Sequence, residues 1–180
     1  MKVELKKITQ ENKSDFVALC NSVDRKYLSD RLPHPYTEKD ADWWIDMLSK
    51  NDGKEGVWRA VYADGKLVGQ ISVEKDQKYR GDAEIGYFLA TDFWSKGIMT
   101  QAARLVCGLA FEQLDIIRIT GLYCEPNAAS GRVMEKAGFK REGKKLNGFV
   151  KGGVVYNLCV MGLLKGELKK ACLSASLKGV

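Results

Sequence analysis

The feature that most constrains this chain is a strand that passes through a short loop directly into a helix with one apolar face. Residues 83–90 predict the strand, and residues 94–100 lead into a helix predicted from about Gly97 to Gln113. The start of such a helix presents free N–H groups and a positive dipole end, to which Lys96 adds a charge. These features favour phosphate binding, and Gly97 permits close approach. The loop has neither a Walker A nor a G-x-G-x-x-G pattern, so alone it is equally compatible with an ordinary connection.

The remaining pattern predicts helices packed on a mixed sheet. Further strands are predicted at 3–8, 57–63, 66–74, 116–124, 139–150 and 153–163. Helices are predicted in the teens, after a capping box at Thr37, and between Asn127 as N-cap and Gly138 as left-handed C-cap. The resulting order, β-α-α-β-β-β-α-β-α-β-β, belongs to neither a doubly wound fold nor a sandwich.

The composition is that of a globular protein and excludes several functional classes. The 180 residues fit one domain, predicted at 1–165, with a tail at 166–180 that is either a short helix or frayed. Five cysteines without a C-x-x-C pair favour reduced thiols in a cytoplasmic protein and no metal site. No apolar run reaches the roughly 20 residues that cross a bilayer, so no membrane contact is expected. A net charge of +6 without a basic, aromatic-interleaved strand predicts no direct nucleic-acid binding.

A second unit follows some thirty residues beyond the first loop. Residues 125–139 begin a short helix with Asn127 and Ser130 in its first turn. Together with the Pro-His-Pro-Tyr-Thr stretch at 33–37, the two units resemble the GNAT superfamily of acyl-CoA N-acyltransferases, specifically its RimJ/RimL-like branch. The branch patterns E-I-G-Y-x-L, W-x-K-G-x-A-T-x-A and N-x-x-S-x-R-V-L-E-K-x-G-F are similar to residues 84–89, 94–102 and 127–139. Three motifs in order are far more specific than any one of them.

The resemblance spans roughly 3–165 and implies an α/β (α+β) GNAT fold with acetyl-CoA as cosubstrate and no metal. It implies about seven mostly antiparallel strands, helices on both faces, and a central strand pair that splays apart. In the family, the splayed backbone pairs with the pantetheine arm of coenzyme A and the loop holds its pyrophosphate. The coenzyme-binding residues implied here are Phe88, Leu89, Ala90, Trp94, Ser95, Lys96, Gly97, Ile98, Met99, Thr100, Asn127 and Ser130.

Two positions depart from the family pattern. Met99 stands where the pyrophosphate loop normally has Gly or Ala, which puts the tightness of that turn in question. Met134 stands where many GNAT enzymes have a tyrosine that protonates the leaving thiolate, and methionine has no proton to give. Ser130 is therefore the predicted donor, and weak help is sufficient because a thiol has a pKa of ~8.5.

The acceptor amine must lose a proton, and Glu84 is the carboxylate predicted to take it through a bridging water. A structural carboxylate tied to a neighbouring strand is the alternative interpretation of Glu84. His34, Tyr36 and Trp43 are predicted to contact the acceptor.

The preferred acceptor is a protein N-terminal α-amine. The alternatives are a small-molecule amine, such as a polyamine, aminoglycoside or amino-acid derivative, and a non-catalytic coenzyme-binding module. The sequence is compatible with both a monomer and a homodimer.

Overall fold

The computed structural model describes residues 1–168, so most of the predicted tail, 169–180, lies outside the described residues. Every strand and helix predicted before residue 165 is present, with strand ends shifted by one or two residues. The strands are β1 (Val3–Lys6), β2 (Gly56–Ala63), β3 (Lys66–Lys75), β4 (Ala83–Leu89), β5 (Arg118–Cys124), β6 (Lys140–Lys151) and β7 (Val154–Leu164). The helices are α1 (Lys13–Ser22), α2 (Glu38–Asn51), α3 (Ile98–Gln113) and α4 (Ala128–Ala137).

The seven strands form one sheet in the order β1-β2-β3-β4-β5-β7-β6. Neighbouring strands are antiparallel throughout, except that β4 and β5 are parallel. Parallel neighbours require a crossover, which here is α3 and the loop before it. The prediction of a mixed, mostly antiparallel sheet is confirmed.

The parallel pair separates soon after it forms. Glu84 pairs with Thr120 and Ile85 with Gly121, and no further pair joins the two strands. β4 stays in register with β3 as far as Leu89, and β5 stays paired with β7 to its end. The predicted splay is confirmed, and it opens a gap in the middle of the sheet.

Helices cover both faces of this sheet, as predicted. On one face, α3 packs against β1, β2 and β3, while α4 packs against β5, β6 and α3. On the other face, α1 packs against α2 and β3. The side chains of β2 alternate between the two layers: Val57 and Val61 join the core under α3, and Trp58 and Ala60 join the core under α1 and α2.

Local capping fixes the helices that border the gap and its surroundings. At the start of α2, the Thr37 hydroxyl accepts from the Asp40 amide at 3.2 Å, and the Asp40 carboxylate accepts from the Thr37 amide at 2.8 Å. At α4, Asn127 caps the first turn and Gly138 ends the helix with a φ of 111°. All three predicted caps are confirmed, and the Asn127 cap sets the start of α4 beside the gap.

Candidate active site

The gap between β4 and β5 exposes backbone groups of β4. The Ala90 amide donates to the Val68 carbonyl of β3 at 2.8 Å. The direction of the backbone N–H and C=O groups alternates along an antiparallel ladder. The backbone groups of the even-numbered residues of β4 therefore also hydrogen-bond to β3, and those of the odd-numbered residues are directed towards β5. The N–H groups of Tyr87 and Leu89 therefore face the gap. Of the three strand residues predicted to offer backbone there, Leu89 does so, whereas Phe88 and Ala90 are turned towards β3.

The loop of residues 94–100 leaves its amides free at the start of α3. Trp94 anchors the loop, because its indole N–H donates to the Leu89 carbonyl at 2.8 Å. Ser95 and Gly97 have left-handed backbone, with φ of 59° and 74°. Within residues 1–168 no side chain caps α3, and the amides of residues 98–100 donate to no acceptor there. Free amides at a positive helix end form an anion-binding concavity.

Open space and positive charge accompany these free amides. A Cβ added at Gly97 would meet no atom within 4 Å. The Lys96 Nζ lies 5.2 Å from the centroid of the Phe93 ring, and the Lys66 Nζ lies 5.6 Å from the same centroid. The ammonium groups of Lys66 and Lys96 thus both lie near the Phe93 ring, beside the loop. Their positive charges favour the binding of a polyphosphate.

Met99 and Met134, the two residues that depart from the family pattern, are both buried in the core. Met99 is 5% exposed and belongs to the core under α3, so its side chain takes no space in the loop. Met134 is 1% exposed, and a Cβ on Gly121 of β5 would lie only 2.4 Å from its Sδ. Met134 therefore fills the space over β5, and the turn at Met99 is not obstructed.

A pair of hydroxyl groups connects β4 with the start of α4. The Tyr87 hydroxyl lies 2.8 Å from Ser130 Oγ and 3.1 Å from the Ser130 carbonyl oxygen. The Asn127 side chain accepts from the Ser130 amide at 3.3 Å, which fixes the same turn. Burial raises the pKa of Tyr87 to about 12, so this hydroxyl keeps its proton at neutral pH. Ser130 is thereby held close to the gap by Tyr87.

Glu84 lies on the opposite face of β4 and is open to a cleft. Within residues 1–168 its carboxylate makes no hydrogen bond or ion pair, so the tie expected of a structural carboxylate is not found there. Glu84 is exposed, but the walls of the cleft remove part of its solvation and so raise its pKa above the usual range. The negative charges of Glu74 and Asp76 raise it further, while Arg31 and Lys145 oppose the shift. A carboxylate in this state suits a base that works near neutral pH.

The cleft that holds Glu84 has a volume of about 550 Å³. Three tryptophans form much of its wall: Trp43 and Trp44 from α2, and Trp58 from β2. The other lining residues are Arg31, Met47, Asn51, Glu55, Glu74, Lys75, Asp76, Gln77 and Gly86. Because Glu84 and Gly86 precede the gap on β4, the cleft adjoins the gap from the face that carries α1 and α2.

A second carboxylate faces Glu84 from the neighbouring strand. Glu74 of β3 is the register partner of Glu84. Unlike Glu84, it is paired: the Ser72 hydroxyl donates to it at 3.0 Å and the Arg31 guanidinium lies 3.2 Å away. Two carboxylates directly opposite each other repel, so the cation on Glu74 stabilises the pair.

The three predicted acceptor contacts differ in position. Trp43 lines the cleft and is 67% exposed. His34 is exposed in the loop before α2 and does not line the cleft. Tyr36 is only 6% exposed, and its ring packs edge-on against Phe16 at 5.9 Å. The contact of Tyr36 with the acceptor stays a prediction, and its side chain belongs to the core under α1 and α2.

Sequence reasoning missed several residues of this site. Tyr87 and Trp58 were not among the predicted site residues, although strand alternation gives the face on which each lies. The facing of Glu74 and Glu84 depends on the register between β3 and β4, which the sequence pattern does not give. No sequence signal indicates that Arg31 reaches Glu74.

The arrangement fits acetyl-CoA in three respects. The gap offers strand backbone to an extended arm, the loop offers free amides to a pyrophosphate, and Ser130 lies beside Tyr87 of β4. Among residues 1–168, no three His, Cys, Asp or Glu side chains gather into a metal-binding group. None of the helices that the structure describes combines the length and apolar character of a membrane span.

Comparison with known proteins points to one family. The family described as "Acetyltransferase (GNAT) domain" matches residues 2–140. The chain is 37% identical over 126 residues to YdaF of Bacillus subtilis (strain 168), a protein named as a ribosomal N-acetyltransferase. That alignment covers 70% of this chain and 67% of YdaF.

Solved structures share the fold at lower identity. RimL, a ribosomal L7/L12 alpha-N-protein acetyltransferase in complex with coenzyme A, superposes with a TM-score of 0.75 at 16% identity, covering 90% of this chain and 92% of that one. A spermidine N-acetyltransferase from Vibrio cholerae, in complex with CoA and spermine, gives a TM-score of 0.76 at 16% identity, covering 92% and 97%. At these identities the two structures show the common fold alone.

Proposed function

We propose that this chain, which belongs to the GNAT acetyltransferase family, transfers the acetyl group of acetyl-CoA to the N-terminal α-amine of a polypeptide. The observation that carries the proposal is the unpaired Glu84 carboxylate in a cleft that adjoins the gap in the sheet, with both features drawn from residues 1–168. The name of the relative YdaF, which refers to a ribosomal N-acetyltransferase, supports a protein acceptor.

Backbone and cations of this chain hold the coenzyme. Bound acetyl-CoA supplies the activated thioester. The amides of residues 98–100, with Lys96 and Lys66 beside them, hold the pyrophosphate. The N–H groups of Tyr87 and Leu89 pair with the extended arm along the gap, and an amide at this position also polarises the thioester carbonyl.

Glu84 receives the proton of the acceptor through a water. A peptide α-amine has a pKa of about 7.7–8.0, so making it neutral at pH 7 costs about 1 kcal/mol. A lysine-like amine with a pKa of about 10.4 costs about 4–5 kcal/mol. A carboxylate whose pKa lies above its ordinary range is a sufficient base for the first and a weak one for the second.

Ser130 assists the departure of the thiolate. Its hydroxyl has one hydrogen, which is available to the sulfur only when Tyr87, and not Ser130, is the donor in the bond between the two hydroxyl groups. Tyr87, 2.8 Å away, is that donor when its hydrogen points to Ser130 Oγ rather than to the Ser130 carbonyl. Tyr87 is therefore a positioning residue that leaves the Ser130 hydrogen free.

The proposal is tested by following release of free coenzyme A thiol with a panel of amines. The panel contains peptides with free N-termini, the same peptides with blocked N-termini and one internal lysine, and spermidine. We expect turnover with free N-termini, with mass spectrometry placing the acetyl group on the α-nitrogen. Acetylation confined to lysine or spermidine would contradict the acceptor, and coenzyme binding without any turnover would contradict the catalytic role.

A further inference from the structure

The acceptor cleft has the opposite charge from the chain as a whole. The chain carries a formal net charge of +6. The cleft is lined by four carboxylates, Glu55, Glu74, Asp76 and Glu84, and by two cations, Arg31 and Lys75. A negative cleft on a positive protein attracts a cationic ligand and repels an acidic one.

The chain itself shows where a cation binds in this cleft. The Arg31 guanidinium lies 3.2 Å from Glu74, yet the Arg31 side chain is 76% exposed. A cation so open to solvent contributes little to stability and is readily exchanged for another. Because Glu74 is the register partner of Glu84, the two Cα atoms are about 5.5 Å apart, the spacing of a hydrogen-bonded pair. A second positive charge on the acceptor would therefore meet Glu74 while its amine is at Glu84.

A second, independent feature indicates that the ligand also brings hydrogen-bond acceptors. Trp58 lines the cleft and is 4% exposed, and its Nε1 has no hydrogen-bond partner among residues 1–168. The Nε1 of Trp44, on the same wall, also has none there. A buried donor without a partner is costly, and a peptide carbonyl would satisfy one. A protonated polyamine has only donors and would leave both indoles unpaired.

We propose, resting on the proposed function, that the polypeptide acceptor carries a lysine or arginine within its first residues, whose cation replaces Arg31 at Glu74. The Glu84 carboxylate serves the reacting α-amine, and the tryptophan wall holds the peptide between the two charges. Glu74 is then the residue that sets acceptor preference. Indole faces also attract cations, which adds to the same preference.

The test compares two peptides that begin with Ala-Lys and Ala-Gln and are otherwise identical. Other side-chain amines are blocked by dimethylation where required, and the lysine at the second position keeps its charge. Free thiol release is measured at pH 8 and low salt. We expect kcat/KM to favour the lysine peptide by about fivefold, mainly through KM, which is the upper end of what a solvent-exposed charge pair contributes. Added salt should reduce the preference.

Three variants sharpen the test. Glu74→Gln should reduce the preference to within about twofold, since it removes the charge and keeps the shape. Arg31→Gln should lower KM for the lysine peptide, because it removes the competing cation. The matched control is Glu112→Gln on the exposed side of α3, which should retain the full preference.

Equal rates with the two peptides, or a preference that survives Glu74→Gln, would overturn the inference and leave the proposed function standing. A kcat/KM for 1,4-diaminobutane above that of the lysine peptide would overturn the choice of a peptide. If acetyl-CoA binds but neither peptide is acetylated, the proposed function itself fails.

Discussion

The two halves of the site consist of different chemical groups. The coenzyme half, comprising the gap and residues 94–100, consists of backbone amides, a left-handed glycine and two lysines. The acceptor half, comprising the cleft around Glu84, consists of indole rings and carboxylates that come from α2, β2, β3 and β4. Side-chain substitution should therefore change acceptor choice freely, whereas coenzyme binding depends on backbone shape and changes only where that shape is blocked.

Gly97→Val should have the largest effect. A branched side chain at a φ of 74° both strains the loop and occupies the space in front of the free amides, so acetyl-CoA affinity should fall by about 100-fold or more. Calorimetry measures the loss. Gly65→Val in the β2–β3 turn is the matched control, because Gly65 has a φ of 82° and equally open surroundings. Equal affinity loss in both variants would show that strain, and not the blocked amides, is responsible.

Glu84→Gln should separate chemistry from coenzyme binding. We expect kcat to fall by about 100-fold at pH 7 with acetyl-CoA affinity unchanged, since the glutamine cannot accept a proton. The pKa of Glu84 is raised because the cleft removes part of its solvation, so the folded state binds this proton more tightly than the unfolded chain. The free energy of unfolding therefore falls as the pH rises from the ordinary pKa of the unfolded chain through the raised pKa of the folded protein. Glu84→Gln should accordingly raise Tm at pH 8 and leave it nearly unchanged at pH 4; a lower Tm at pH 8 would contradict the raised pKa.

Ser130→Ala and Tyr87→Phe should each lower kcat by about tenfold, the value of one hydrogen bond to developing charge. If Tyr87 acts through Ser130, the double variant should be no slower than Ser130→Ala. Tyr123→Phe is the control, because its hydroxyl contacts α4 at Gly131 instead. Multiplicative losses in the double variant would show that Tyr87 acts independently of Ser130 and would contradict its positioning role.

Glu74→Gln should have the smallest effect on the chemical step. Removing the facing negative charge lowers the pKa of Glu84, although Asp76 still raises it and Arg31 and Lys145 still oppose. The acid limb of the pH profile of kcat/KM should move to lower pH. A shift to higher pH would contradict the repulsion between the two carboxylates.

The same contrast explains what the sequence could predict. The gap and the loop come from one continuous strand-loop-helix segment, so the motif at 84–100 indicates them directly. The caps at Thr37, Asn127 and Gly138 follow local rules and are confirmed. The acceptor cleft instead brings Trp58, Glu74 and Arg31 together from segments that are far apart in sequence. Such a constellation depends on strand register and loop placement, which local pattern does not determine.

The placements that the sequence did not indicate have equally physical causes. Tyr36 is part of a proline-rich stretch typical of an exposed loop, yet its ring completes the core against Phe16. The backbone of Phe88 and Ala90 is directed to β3 because the β3–β4 ladder runs without a bulge, and sequence pattern alone does not give ladder phase.

The most direct test is a crystal structure of this chain with acetyl-CoA, in which the distances from the pyrophosphate oxygens to the amide nitrogens of residues 98–100 are measured. We predict distances of about 3 Å, with the pantetheine arm lying between β4 and β5 next to Leu89. A coenzyme bound elsewhere, with the gap in the sheet unfilled and those amides still without an acceptor, would contradict the assignment of this half of the site.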